Sequence, residues 1–135
     1  MSCMKKLLPF FALLSLFSSV LGAEIAAITP AEAAKRVADG KAVLIDVREP
    51  AEWLETGVAA PAVLLPKSEF DGGRVGEWKE FLEKVGDKQI IAYCRSGKRS
   101  AAVIAALEKE GHKVANAGGF QDWKEAGLPT RAVAK

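Results

Sequence analysis

Histidine and cysteine are scarce in this chain. One histidine and two cysteines among 135 residues are too few for a His/Cys metal site, so no metal centre and no metal cofactor are expected. A surplus of one charge sign is also missing, with 19 Lys and Arg against 17 Asp and Glu. A nucleic-acid binder needs a larger and more clustered basic excess, so nucleic acid is not an expected partner. Beyond residue 23 no apolar run approaches the roughly 20 residues of a membrane span. Six prolines and twelve glycines are ordinary numbers, which excludes a disordered or collagen-like chain. The length admits one hydrophobic core and no second domain.

The one long apolar run lies at the start. Lys5 and Lys6 precede a stretch from Leu7 to Leu21, and Gly22 and Ala23 follow it. Charge, apolar core and small residues in that order form the layout of a secretory signal peptide, with cleavage after residue 22 or 23. The stretch is too short to stay as a span, so no stable membrane insertion is expected after processing. Residues 24–135 then form a single domain, periplasmic or secreted. Cys3 leaves with residues 1–23, so Cys94 becomes the sole cysteine. An oxidising compartment favours paired cysteines, which makes a lone thiol there a candidate for chemistry.

In the remaining chain, strand-like and helix-like segments alternate. Thr29-Pro30-Ala31-Glu32 reads as a helix start and Gly40 as its stop. Ala42–Asp46, Ala62–Leu65, Gln89–Tyr93 and Lys113–Ala115 are short apolar runs that read as buried strands. Pro50 opens a helical turn ending at Gly57, and Phe70–Gly76 reads as loop. In Glu77–Val85, Trp78, Phe81, Leu82 and Val85 share one helix face. Ser100–Glu110 and Phe120–Ala126 read as further helices, with Gly118-Gly119 as a turn. Such alternation predicts an α/β fold: a central, mainly parallel sheet with helices on both faces. Trp53, Trp78, Phe81 and Trp123 are expected in packing, and His112 in a plain helix-to-strand turn.

Cys94-Arg95-Ser96-Gly97-Lys98-Arg99-Ser100 joins the third strand to the following helix. Sites in open α/β sheets form beyond the carboxyl ends of strands. A loop feeding a helix start turns several backbone N–H groups inward, and Gly97 permits the tight curl. Lys98 and Arg99 add formal charge nearby. All of these favour an anion, and the anion at hand is the thiolate of Cys94, expected to be accessible and of low pKa.

Three segments resemble the rhodanese family in its single-domain, exported form. They are Leu44–Trp53, Ile91–Ser100, and Gly118-Gly119-Phe120 with Trp123 and Ala126–Pro129. The resemblance spans nearly all of residues 25–130. It implies a rhodanese-like fold and sulfur transfer through a persulfide on Cys94, with no cofactor. It further implies a cradle from Arg95, Ser96, Gly97, Lys98 and Arg99, with Arg99 and Lys98 attracting anionic donors such as thiosulfate. Asp46 and Arg48 would be supports. The partners implied are a small-molecule sulfur donor and an acceptor such as cyanide, a thiol or a thiol-carrying protein. One segment departs from the pattern: where the family reads Gly-His-Ile and then Pro-Gly-Ala, this chain has Gly57-Val58-Ala59-Ala60-Pro61-Ala62.

Two other readings compete with a sulfurtransferase. One is a sulfur carrier or thiol sensor whose persulfide is read rather than turned over. The other is a phosphatase or arsenate reductase. Those relatives of the family separate cysteine and arginine by five residues, whereas four separate Cys94 from Arg99. The smaller ring suits a persulfide sulfur better than a tetrahedral oxyanion.

Overall fold

The computed structural model describes residues 26–134, so the proposed signal peptide lies outside the described residues. Strands β1 (Ala42–Asp46), β3 (Val63–Leu64), β4 (Gln89–Cys94) and β5 (Val114–Gly119) form one sheet in the order β3-β1-β4-β5. All three pairings are parallel, in agreement with the alternating pattern. Ala27 adds a single parallel bridge to Asn116 on β5. Among the described residues no helix is long and apolar enough to cross a membrane.

Helices cover both faces, as expected for strands that are apolar on both sides. Strand alternation sorts the side chains. Ile45, Ile90, Ala92 and Cys94 point into one layer with Trp78, Val103, Ile104 and Leu107, from α4 (Trp78–Lys84) and α5 (Lys98–Lys109). Leu44, Ile91 and Tyr93 point into the other with Ala33, Phe120 and Trp123, from α1 (Pro30–Ala38) and α6 (Phe120–Glu125). Cys94 therefore ends β4 directly beneath the start of α5. Thr29 caps α1 by accepting from the Glu32 amide at 3.1 Å, a contact worth about 1 kcal/mol in such caps. Trp53, on α2 (Pro50–Thr56), is buried as expected, as are Trp78 and Trp123.

Three local expectations change. Gly118-Gly119 is the end of β5 rather than a turn, because the strand shifts register between Ala92 and Cys94 and continues. Phe70 and Asp71 belong to a short helix, α3 (Lys67–Asp71), and only the residues after it are loop. The helix expected from Ser100 begins at Lys98, which shortens the loop after Cys94 to three residues, Arg95–Gly97.

The segment that departs from the family pattern is firmly anchored. Val58–Ala59 forms β2, antiparallel to β6 (Thr130–Arg131). The Ala59 amide donates to the Tyr93 hydroxyl at 2.9 Å. Arg131 donates to the carbonyls of Ala60 and Ala62 at 3.0 and 2.8 Å. Two-residue strands carry no readable periodicity, which is why this ribbon is invisible in the sequence.

Candidate active site

The site begins with the last residue of β4. Cys94 is fully buried, and its Sγ accepts from the Gly97 amide at 3.0 Å. Gly97 is the N-cap of α5 with φ 95°, a left-handed conformation that L side chains rarely adopt. The Ser100 hydroxyl lies 3.5 Å from the same sulfur. Burial pushes the thiol pKa up. The Ser100 hydroxyl and the amides of Ser100, Gly97 and Ser96 more than offset this and hold it below the ordinary thiol value. Hydrogen bonds thus stabilise the thiolate, as the inward-turned amides of the motif predict. The sulfur is also less accessible than expected, because the loop closes over it.

A neighbouring strand supports the loop. Asn116 Nδ2 donates to the Gly97 carbonyl at 2.9 Å, and Asn116 Oδ1 accepts from the Gly118 amide at 3.0 Å. Gly119 packs against the loop so closely that a Cβ there would lie 2.3 Å from the Arg95 carbonyl oxygen. The Ser100 hydroxyl has three acceptors within reach: Cys94 Sγ, the Gly97 carbonyl at 3.2 Å and Asn116 Oδ1 at 2.9 Å. It has one proton, so it serves one of them at a time. A thiolate is the strongest acceptor of the three, and charge-assisted bonds are roughly twice as strong as neutral ones.

Ser100→Ala is therefore expected to slow iodoacetamide alkylation of Cys94 several-fold at neutral pH. The inflection of the rate against pH should move upward, because losing a donor to the charged form raises a thiol pKa. A profile that superimposes on wild type would assign the Ser100 proton to Asn116 or Gly97 alone.

Two ion pairs flank the loop. Asp46, fully buried, is held by Arg48, which is 2 % exposed. Arg48 Nε donates to both carboxylate oxygens at 3.1 Å, and another guanidinium nitrogen donates to Oδ2 at 2.8 Å. The remaining donors reach Thr56 Oγ1 and the Gly57 carbonyl, both at 2.9 Å. The pair ties β1 to the end of α2. Arg99 is engaged as well, donating to the two Glu52 oxygens at 2.7 and 2.9 Å. Arg95, Ser96 and Lys98 are exposed.

The structure brings Cys94, Arg95, Ser96, Gly97, Lys98 and Arg99 together in one loop and helix start, as the motif predicts. Sequence reasoning missed Glu52, Asn116 and the hydroxyl role of Ser100. Glu52 lies within a segment noted for another reason, three positions after the N-cap of α2. Asn116 has no sequence signal at all. Among the described residues no group of three or more His, Cys, Asp or Glu is placed to hold a metal ion.

A parallel α/β sheet with a cysteine in an amide-lined loop at a strand's carboxyl end is the arrangement of a rhodanese-like domain and of the phosphatases related to it. The match to the Rhodanese-like domain family over residues 29–126 makes the assignment plain: the chain belongs to that family. It is 37 % identical over 103 residues to "Putative sulfurtransferase YtwF" of Bacillus subtilis, covering 75 % of this chain and 92 % of that protein. It is 35 % identical over 98 residues to a sulfurtransferase of Allochromatium vinosum, covering 70 % and 84 %. Among solved structures, a rhodanese-related protein from Thermoplasma volcanium superposes with TM-score 0.64 at 28 % identity, covering 80 % of this chain and 99 % of the other. The chain spans a quarter to just under half the length of the first curated relatives it matches.

Proposed function

We propose that this protein moves sulfane sulfur from a small donor such as thiosulfate to a thiophilic acceptor, through a persulfide on Cys94. The observation that carries the reading is the Cys94 sulfur held by the Gly97 amide and the Ser100 hydroxyl at the start of α5. The Cys94 thiolate attacks the outer sulfur of thiosulfate. A new S–S bond forms, the donor's S–S bond breaks, and sulfite leaves with the electron pair. Cyanide or a thiolate then attacks the outer sulfur and returns Cys94 to the thiolate. The inward amides stabilise negative charge on the transferring sulfur throughout. Cys94 is fully buried beside the Arg95–Gly97 loop, which favours small donors and acceptors. A thiol-carrying protein would have to present its thiol on a narrow tip.

The same proposal places the mature protein, residues 24–135, outside the cytoplasm as a periplasmic or secreted domain, supported by the Lys5–Ala23 pattern. Nucleic acid has no part in it. Mass spectrometry of the purified protein after thiosulfate treatment tests the carrier step. A gain of about one sulfur atom on Cys94, removed by cyanide with release of thiocyanate, is expected. Loading without turnover under steady-state cyanide would favour the carrier or sensor reading. No gain at all would reject both.

A further inference from the structure

Arg99 is the cation expected to draw anionic donors to Cys94, yet its guanidinium is already committed. Glu52, from α2, takes two of its N–H groups in a two-pronged pair at 2.7 and 2.9 Å, and both side chains are largely shielded from solvent. Such bidentate, charge-assisted pairs are the strong and geometrically specific kind. Glu52 is itself held in place, since its Oε1 accepts from the Glu49 amide at 3.0 Å and completes the cap of α2. Glu52 also lines a cleft of about 170 Å³ that reaches the catalytic loop at Arg95, with Glu55, Phe120 and Lys124 around it. Two carboxylates thus line this cleft beside the loop. Of the cations there, Arg48 is neutralised by Asp46 and Arg99 by Glu52. Among the described residues only Arg95, Lys98 and Lys124 near the loop are without an ion pair, and all three are exposed and open to screening by salt.

We propose that Glu52 is a specificity-determining residue: by holding Arg99 it lowers the positive potential beside Cys94 and turns the site from dianionic donors toward organic persulfides of low net charge. The inference rests on the sulfur-transfer reading above and narrows its donor class. In the favoured reaction the Cys94 thiolate attacks the terminal sulfur of a persulfide R–S–S⁻. The donor's S–S bond breaks, R–S⁻ leaves with the electron pair, and the Cys94 persulfide forms with total charge unchanged. A dianion such as thiosulfate meets the Glu52 carboxylate without gaining the Arg99 charge.

The test is Glu52→Gln with two donors, thiosulfate and an alkyl persulfide whose organic part is uncharged. Glutamine keeps an oxygen for the Glu49 amide and is the accepted alternative at that capping position, so α2 retains its cap. The thiosulfate KM is expected to fall at least about threefold, with kcat little changed and a steeper rise of KM with ionic strength. The persulfide KM should move by less than half of that factor. A second variant, Arg99→Leu, leaves Glu52 uncompensated and should raise the thiosulfate KM while affecting the persulfide less. Equal changes for both donors, or no change in either variant, would overturn the specificity role. Failure of wild type to load sulfur on Cys94 from both donors would instead overturn the sulfur-transfer reading, and the inference with it.

Discussion

Cys94→Ser is expected to reduce thiosulfate:cyanide sulfur transfer to the uncatalysed background while the domain stays folded. An alkoxide cannot be reached at neutral pH, and a hydroxyl cannot hold sulfane sulfur as a persulfide. Among the described residues Cys94 is the sole cysteine, so no second thiol can take over the carrier role. The fold should tolerate the change because the serine oxygen inherits a hydrogen-bonded seat: the Gly97 amide that donates to Sγ can donate to Oγ. The cost is the poorer fit of a smaller, more polar atom in a buried position, on the order of 1 kcal/mol. The measurements are thiocyanate release, the intact mass after thiosulfate, and the thermal midpoint. Turnover above background with no mass gain would show that sulfur passes through another group.

The second large effect is on stability. Arg48→Met is expected to cost about 3–5 kcal/mol, because it strips the partner from a carboxylate with no exposed surface. Asp46 would keep the Arg48 backbone amide, which donates to Oδ1 at 2.9 Å and survives the substitution, and the neighbouring Tyr93 hydroxyl, but neither carries a charge. The loss spreads further, since the same guanidinium holds Thr56 Oγ1 and the Gly57 carbonyl. Its face also lies over the Phe120 ring, 4.5 Å from the centroid. For a domain of this size a loss of that order lowers Tm by more than about 10 °C. Asp46→Asn/Arg48→Met should lose much less than the sum of the single variants, since no buried charge is left unpaired. Thermal denaturation of the four proteins measures the coupling. Additive losses would mean that Arg48 acts only through Thr56, Gly57 and Phe120. Asp46 pairs in register with Tyr93, the residue before Cys94, so the single variant should also loosen the end of β4 and slow sulfur transfer.

The helices and strands were largely legible because their signals are local. Thr29 with Glu32, the apolar run Ala42–Asp46, and the spacing of Trp78, Phe81, Leu82 and Val85 each lie within one or two turns of chain. The candidate site loop was legible for the same reason: thiol, glycine and helix start are contiguous from Cys94 to Ser100. Segment ends were less legible. Lys98 and Arg99 read as loop charges, yet they form the first turn of α5. Gly118 and Gly119 read as a turn, yet β5 runs through them past a register shift, and the absent side chain of Gly119 lets the Arg95 carbonyl pack against it.

By itself the sequence determined the class of fold, the proposed nucleophile and the curl around it, since periodicity, turn chemistry and a contiguous motif act over a few residues. Tertiary structure alone decided how the charges near that nucleophile are spent. Arg99 meets Glu52 across 47 positions, and Gly97 meets Asn116 across 19. Neither partner is marked by spacing, because each pairing depends on which strand ends and helix starts the packed sheet brings side by side. The same packing sealed Cys94 from solvent. Strand alternation turned its side chain toward α5, and the closing of the loop over it is a property of the assembled layers rather than of any local segment.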